Sequence, residues 1–300
     1  MTGVQTCALP IWVPKEPINT ELMKGYSRFK EAVYKGSHYG KFEKPVDETE
    51  GFVEYKKVNE YFGEEIKNLI EANPADIVHI HDFQLLFTYR YVPRGTPLIL
   101  TWHIPFVKNM SKHLSEFLIK HMNEYDKVVF SSQEYIDAAI HLGLNKEKPV
   151  LIHPIANTNL FRLMDVDKKE VRKKYNLPLD ANIVMSVQRV DPKSGHEQLI
   201  KSFPMVKKEI PNAKLVFVGG ESLSNKLSKD REMLKKRIMK LIDDLKLKDD
   251  VIFTGTIDYH SLPELYNAVE INALCSKNEG FGLAITEGMA CGKPIIGTKA

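Results

Sequence analysis

Two glutamates near the end of the chain, Glu279 and Glu287, are separated by seven residues that include a glycine-rich turn. They lie within NEGFGLAITE (residues 278–287), which follows the apolar run INALCS. The glycines of this segment permit a tight turn after a strand, and a helix is predicted to begin near Leu283. Because helix N-termini at the carboxyl edge of a parallel sheet attract phosphate, the segment is typical of a nucleotide site.

A carboxylate beside a phosphate needs its own reason, because like charges repel. Hydrogen bonds accepted from sugar hydroxyls supply one, so we predict that Glu279 binds a hexose and Glu287 a ribose. The alternative is an ordinary helix start with an acid favoured by the helix dipole. The predicted donor-binding residues of this segment are Glu279, Gly280, Phe281, Gly282, Leu283 and Glu287.

A second candidate lies in SVQRVDPKSGHEQLI (residues 186–200). Arg189 is predicted to end the first strand of the second half, and Lys193 and Ser194 lie in the following loop. Two cations at this edge would neutralise a diphosphate and stabilise the charge on a departing nucleotide. The alternative is an ordinary pair of loop cations.

The first half places polar residues at two successive strand ends. HIHDFQ ends one strand with Asp82, and TWHIPF ends the next with His103. A carboxylate and an imidazole at neighbouring strand ends can bind and orient sugar hydroxyls. A metal site formed with His79 and His81 is the alternative, and it is disfavoured because no further ligand spacing supports it.

Apolar strand runs alternate with helical runs in both halves of the chain. In the second half the strands are NIVMSVQ, AKLVFVGG, DVIFTG, INALCS and PIIGT, with helices at 196–210 and about 229–247 among those between them. In the first half they are ADIVHIHD, PLILTWHIPF, KVVFSS and KPVLIHPIA, preceded by a helix at 52–74. Strands that are apolar on both faces and joined by helices form parallel, doubly wound sheets.

We therefore predict two Rossmann-like α/β domains facing a cleft, at residues 12–160 and 161–300. Residues 1–11, MTGVQTCALPI, lack a basic start and fit poorly with the residues after them, so they are interpreted as a non-native scar and not as a signal peptide. Residues 12–50 show neither an opening strand nor a Gly-rich turn, and the chain stops directly after a strand. Both domains are therefore expected to be incomplete.

Composition excludes several classes of protein. Of 300 residues 43% are hydrophobic and 27% charged, with net charge +3, a balance typical of soluble globular domains and too mild for a nucleic-acid partner. No run approaches the roughly 20 apolar residues of a membrane span. The three cysteines form no disulfide framework, which favours a reducing, cytoplasmic location. The oligomeric state stays open, a homo-oligomer included.

Residues 180–300 resemble the donor domain of retaining GT-B glycosyltransferases, chiefly family 4. The Glu-seven-Glu element of SKNEGFGLAITEGMACGKPII is the specific part of that match. Residues 26–135 resemble trehalose-6-phosphate synthases of family 20, through YSRFKEAVY, YKKVNEYFGEEI, HIHDFQLL and HIPF.

The resemblance implies a hexosyltransferase that takes glucose from UDP- or ADP-glucose, retains stereochemistry and needs no metal or other cofactor. Arg189 and a lysine would hold the diphosphate. Asp82 and His103 would contact the transferred sugar or the acceptor, and Tyr26 would bind an acceptor phosphate. The implied catalytic set is Asp82, His103, Arg189, Lys193 and Glu279.

Three departures from the family pattern matter. The family places lysine five residues after the arginine, where this chain has Ser194, and Lys193 stands one residue early. The tryptophan that follows the acceptor tyrosine in the synthases is absent from VYKG (residues 33–36), which weakens the case for a sugar-phosphate acceptor. The N-terminal Gly-rich loop is not found either, so the activity of this chain alone stays open, an inactive polypeptide included.

Other functions make different demands on the sequence. An epimerase of the same fold would show another acid/base set and no Glu-seven-Glu pair. A glycogen-phosphorylase-like enzyme would need a pyridoxal-bearing lysine and a much longer chain. A sugar-nucleotide-binding fragment without activity, and a family 4 transferase acting on a lipid or polysaccharide, remain open alternatives.

Overall fold

The computed structural model describes residues 18–220 and 229–299, with the side chains of 229–231 left aside. The chain forms two compact units, which divide between Pro154 and Ile155. The predicted scar at 1–11 lies outside the described residues. Each unit is described by itself, as the N-terminal and the C-terminal domain.

The N-terminal domain has a parallel sheet of four strands in the order β1-β2-β3-β4. Its strands are β1 (Val78–His81), β2 (Leu98–Trp102), β3 (Lys127–Phe130) and β4 (Pro149–Leu151). Its helices are α1 (Thr20–Tyr39), α2 (Phe52–Ala72), α3 (Lys112–Met122) and α4 (Gln133–His141). The predicted helix at 52–74 is thus confirmed to within two residues at its end.

Helices α1 and α2 pack their apolar faces together. The side chain of Asn19 accepts a hydrogen bond from the N–H of Glu21 and so caps α1. Phe29 of α1 and Tyr55 of α2 are fully buried, with ring centroids 4.5 Å apart. Burial of aromatic side chains of this size is a main source of stability in this domain.

The C-terminal domain has five parallel strands in the order β7-β6-β5-β8-β9. The strands are β5 (Asn182–Val187), β6 (Ala213–Val218), β7 (Val251–Gly255), β8 (Ile271–Leu274) and β9 (Ile295–Gly297). The helices are α5 (Lys168–Lys174), α6 (His196–Glu209), α7 (Lys229–Asp244), α8 (Leu262–Ala268) and α9 (Leu283–Ala290). This is the doubly wound order, whose direction reverses between β5 and β8.

Both faces of this sheet are covered. Along β6, Val216 and Val218 join one apolar cluster, whereas Leu215 and Phe217 join another on the opposite face. Alternate side chains of a strand point to opposite faces, so the central strands must be apolar throughout. The doubly wound α/β prediction is confirmed.

Two details differ from the sequence pattern. The strands β4, β7 and β9, predicted to be buried on both faces, carry exposed residues, Ile296 and Phe253 among them at 52% and 40% exposure. All three are edge strands, which have a neighbouring strand on one side only. Pro204 lies inside α6 without ending it.

Candidate functional site

A cavity of about 530 Å³ opens in the C-terminal domain at the carboxyl ends of its strands. Its walls come from the residues after β5, β6, β7 and β8, together with the first turn of α9. The lining therefore includes the β5/β8 point at which the strand order reverses, the usual ligand position in doubly wound sheets. The volume lies within the range of small-molecule sites, roughly 300–1,000 Å³.

Most of the predicted donor-binding residues line this one cavity. They are Arg189, Lys193, Ser194, Glu279, Gly282, Leu283 and Glu287. Gly280 and Phe281 belong to the same turn but are not among the lining residues. The sequence segments 186–200 and 278–287, about 90 residues apart, are thus brought together.

The conformation of the loop after β5 places Lys193 at the cavity as a second cation, beside Arg189. The buried hydroxyl of Ser194 donates to the carbonyl of Arg189 at 2.8 Å, and the N–H of Lys193 donates to Asp191 Oδ1 at 3.0 Å. The Lys193 carbonyl accepts from the N–H of Lys277 at 2.7 Å. These bonds fix the loop so that both residues line the cavity, Lys193 as the second cation and Ser194 with its hydroxyl bound to the loop's own backbone.

Gly195 makes this loop geometry possible. It has φ +69°, and a Cβ atom at this position would lie 1.6 Å from the carbonyl oxygen of Cys275. Only glycine combines the left-handed backbone with such a close approach. The loop after β5 therefore packs directly on the segment after β8.

Glu279 is held by a neighbouring hydroxyl. Ser276 Oγ lies 3.1 Å from Glu279 Oε2, and Gln188 Nε2 donates to the same Ser276 oxygen. Gln188 follows β5 and Ser276 follows β8, so the three side chains bridge the two central strands.

Glu287 is more deeply buried, at 8% exposure. Burial raises the pKa of its carboxyl group, and the hydrogen bond with the Tyr266 hydroxyl opposes that rise. The Tyr266 hydroxyl lies 3.2 Å from the Ala284 carbonyl and 3.4 Å from Glu287 Oε2, so its single proton is shared between two acceptors. A ligand with two adjacent hydroxyls would supply the donors that the carboxylate needs.

Helix α9 begins at Leu283, as the sequence predicted. Its N-cap, Gly282, has φ +88° and no side chain to accept from the first N–H groups. The first backbone N–H groups of a helix have no partner within it, so this end of α9 is suited to an anion.

Several lining residues were not predicted from the sequence: Gln188, Asp191, Gly219, Gly220, Thr256, Ile257 and Leu262. The glycine pair ends β6, and a Cβ on Gly219 would meet the Gln188 carbonyl oxygen at 2.2 Å. The pair at the end of an apolar strand was a usable signal. Gln188 and Asp191 gave none beyond their proximity to Arg189.

In the N-terminal domain, Asp82 and His103 are brought together at the ends of β1 and β2. The N–H of His103 donates to Asp82 Oδ1 at 2.6 Å. Asp82 has φ +53°, a conformation that Asp and Asn tolerate better than most residues. Burial raises the pKa of its carboxyl group to about 6, against the opposing hydrogen bonds from the N–H groups of His103 and Ile104.

Two further exposed imidazoles, those of His79 and His81, lie beside that pair. His81 Nδ1 and His103 Nε2 are 2.9 Å apart, and the rings of His79 and His81 are 4.3 Å apart. Desolvation lowers the pKa of each ring, and the neighbouring histidines lower those of His79 and His81 further. Within residues 18–220 and 229–299, these groups form no cluster with metal-binding geometry.

Tyr26 is buried, at 6% exposure, and its hydroxyl donates to the Gln84 carbonyl at 3.2 Å. Burial raises the pKa of this hydroxyl well above its usual value. To bind an acceptor phosphate, the hydroxyl would have to leave Gln84. The structure thus places Tyr26 in the core of the N-terminal domain.

No helix in the described part of the chain has the length and apolar character that a bilayer crossing requires.

The similarity to known proteins follows the domain division. Residues 167–300 match the family model for glycosyl transferases group 1, and residues 50–160 match that for glycosyltransferase family 4. A trehalose synthase of Pyrococcus horikoshii is 25% identical over 235 residues, which cover 78% of this chain and 55% of that protein. The chain thus spans little more than half the length of this relative.

Solved structures share the fold. A sucrose-phosphate synthase of Thermosynechococcus elongatus has 25% identity and TM-score 0.65, covering 82% of this chain and 62% of the other. The E. coli trehalose-6-phosphate synthase bound with UDP-2-fluoro glucose has 13% identity and TM-score 0.75, covering 94% and 71%. Each domain thus matches a glycosyltransferase family model, group 1 in the C-terminal domain and family 4 in the N-terminal domain, and the two parallel α/β sheets are those of the GT-B fold.

Proposed function

We propose that the chain is a retaining glycosyltransferase that moves glucose from a nucleoside diphosphate sugar to a small sugar acceptor. One observation carries the proposal: a single cavity of about 530 Å³ at the β5/β8 switch point is lined by the cations Arg189 and Lys193, by the carboxylates of Glu279 and Glu287, and by a helix N-terminus. These groups match the parts of a sugar nucleotide one by one.

The diphosphate lies between Arg189, Lys193 and the first turn of α9. Cationic side chains and helix N–H groups neutralise the charge that grows on the leaving diphosphate. In this proposal the chain itself supplies that positive charge, and no metal ion or other cofactor is required. Adding a chelator should therefore leave transfer unchanged.

The two carboxylates bind the two sugars of the donor. Glu279 accepts hydrogen bonds from hexose hydroxyls, and Glu287 accepts them from the ribose. A site built to pair hydroxyls discriminates strongly against ligands that lack them, because its buried polar groups are then left unpaired.

The reaction breaks the bond between C1 of the hexose and the diphosphate oxygen. The acceptor hydroxyl oxygen forms the new bond to C1 on the same face, and its proton passes to the departing diphosphate. On the acceptor side we assign Asp82 and His103, as the family resemblance implies. Whether Tyr26 also serves a phosphorylated acceptor is a separate question, which its bond to Gln84 disfavours.

Glucose and UDP are supported by the related protein of known structure that binds UDP-2-fluoro glucose. A sugar acceptor is supported by the names of the relatives, trehalose synthase and sucrose-phosphate synthase. ADP-glucose is the second donor to test, because the family resemblance implies either nucleotide.

A donor-by-acceptor screen tests the proposal. UDP-glucose and ADP-glucose are each incubated with glucose, glucose 6-phosphate, fructose and a polysaccharide, and the released nucleoside diphosphate is measured. Release that depends on both a donor and a small sugar supports the proposal. Donor binding without transfer or hydrolysis would instead identify a sugar-nucleotide-binding fragment, and release with the polysaccharide alone would identify a different acceptor class.

A further inference from the structure

We propose that Gln188 and Ser276 are positioning residues, which fix the orientation in which the Glu279 carboxylate receives the hexose. This inference rests on the proposed function, because it takes Glu279 as a ligand of the donor sugar. The relevant contacts form a relay in which Gln188 meets Ser276 and Ser276 meets Glu279.

The direction of the relay follows from its chemistry. If the amide nitrogen of Gln188 faces Ser276, it donates to the hydroxyl oxygen, and the single hydroxyl proton is left to point at Glu279 Oε2. If the amide were turned round, its oxygen and the carboxylate would compete for that one proton. In the structure the amide nitrogen faces Ser276, and Gln188 Oε1 is buried with no hydrogen-bond partner among the described residues, so the hydroxyl proton is left to Glu279.

The middle of the relay is held firmly in place. Ser276 is 3% exposed, and its carbonyl accepts from the Thr298 hydroxyl at 2.5 Å. The following N–H, on Lys277, donates to the Lys193 carbonyl at 2.7 Å. Both polar groups of the Ser276–Lys277 peptide are therefore hydrogen-bonded, and the Ser276 hydroxyl can serve as a reference point for the glutamate.

The consequence for the site is preorganisation. A glutamate side chain has several rotatable bonds, and holding it in one geometry before the ligand arrives removes an entropic cost of binding. The hydroxyl proton fixes one carboxylate oxygen and therefore the plane of the group. The relay should thus act on the hexose and leave the nucleotide unaffected.

The test compares two ligands in each variant. Affinities for UDP-glucose and for UDP are measured by titration calorimetry at pH 7.5. The readout is the dissociation constant of UDP-glucose divided by that of UDP, which rises when the hexose is bound less well. In Ser276→Ala and Gln188→Met this ratio should rise about 10-fold, the value of one hydrogen bond to a charged group. UDP affinity should change by less than about 2-fold, which a general loss of folded structure would not allow.

Three further variants make the test specific. Ser276→Thr keeps the hydroxyl and should restore most of the wild-type ratio. Gln188→Glu, equal in size, offers only acceptors when ionised and should raise the ratio as Gln188→Met does. In Glu279→Gln the ratio should rise at least as far, and adding Ser276→Ala to it should bring little further change, because contacting residues are energetically coupled.

The outcomes separate the two proposals. If UDP-glucose does not bind the wild-type chain, or if Glu279→Gln leaves the ratio unchanged, the proposed function is wrong, and the positioning role of Gln188 and Ser276 is refuted with it. If Glu279→Gln raises the ratio but Ser276→Ala and Gln188→Met do not, the proposed function stands and the relay is refuted.

Discussion

The two groups of candidate residues, one in each domain, are built in different ways. In the C-terminal domain the candidates share one cavity, and backbone and side-chain bonds from neighbouring loops hold them. In the N-terminal domain Asp82, His81 and His103 mainly hold one another at the ends of two adjacent strands. The first arrangement can be assigned to parts of a ligand, whereas the second is a local network whose ligand must be found by experiment.

The largest expected effect belongs to the C-terminal cavity. Glu279→Ala should lower kcat/KM for transfer by about 100- to 1,000-fold, the range for removal of one preorganised polar contact in a reacting site. The unfolding midpoint should stay near that of the wild type, because Glu279 is only half-buried. Glu209→Ala, which changes an exposed glutamate at the end of α6, is the matched control.

In the N-terminal domain we expect Asp82 to make the free energy of unfolding depend on pH. Asp82 has a folded-state pKa of about 6, above its usual value of 3.8, so burial penalises the charged form. This group's contribution to stability is therefore complete below pH 3.8 and is lost as the pH rises through 6. Asp82→Asn fits the same backbone and should be more stable than the wild type at pH 8, by up to about 2 kcal/mol.

The pH dependence of that difference is the decisive part. Urea unfolding of both proteins from pH 4 to pH 8 should show the gain shrinking towards zero at the acid end. Subtracting the two curves removes the common effect of His79, His81 and His103, whose lowered pKa values act in the opposite sense. A constant gain at every pH would contradict the assignment of a raised pKa to Asp82.

A smaller effect is expected from the loop after β5. Lys193→Ala should weaken UDP affinity about 10-fold, by the loss of one charge-assisted contact to the diphosphate. Ser194→Ala should weaken it about 3-fold or less, because this hydroxyl supports the loop through the Arg189 carbonyl. Lys201→Ala, on the exposed side of α6, controls for net charge. Equal losses in Lys193→Ala and Ser194→Ala would show that the loop rearranges on binding.

The smallest effect is expected at Tyr26. Tyr26→Phe removes the hydrogen bond to the Gln84 carbonyl and should cost about 1 kcal/mol of stability. The KM values for glucose and for glucose 6-phosphate should both stay unchanged. A rise confined to the phosphorylated acceptor would instead support the phosphate-binding role that the family resemblance implies.

Much of the fold and of the C-terminal site could be predicted from the periodicity of apolar residues and from the polar residues at strand ends. The run INALCS followed by GFG predicted the start of α9 at Leu283, because both are properties of neighbouring residues. The joint placement of Arg189 and Glu279 followed from the rule that parallel strands bring their carboxyl ends to one edge. The hydrogen bond from the Ser194 hydroxyl to the Arg189 carbonyl could not be predicted, since the loop conformation depends on contacts with the backbone of distant residues such as Cys275.

The same limit explains Gln188 and Ser276. Each lies close in sequence to a residue that was predicted, yet their contact joins positions 88 residues apart. At Tyr26 the sequence motif predicts more than the packing of the domain supports. A local motif predicted a binding residue, but the packing of α1 against α2 and the segment at Gln84 buries its side chain.

The central claim is that the C-terminal cavity binds a sugar nucleotide through its diphosphate. Titration calorimetry of UDP-glucose against the wild-type chain and against Arg189→Ala, with circular dichroism to verify folding, tests it most directly. We predict saturable binding at one site in the wild type and affinity lowered at least 10-fold in Arg189→Ala. Saturable binding of equal strength in the two folded proteins would contradict the claim.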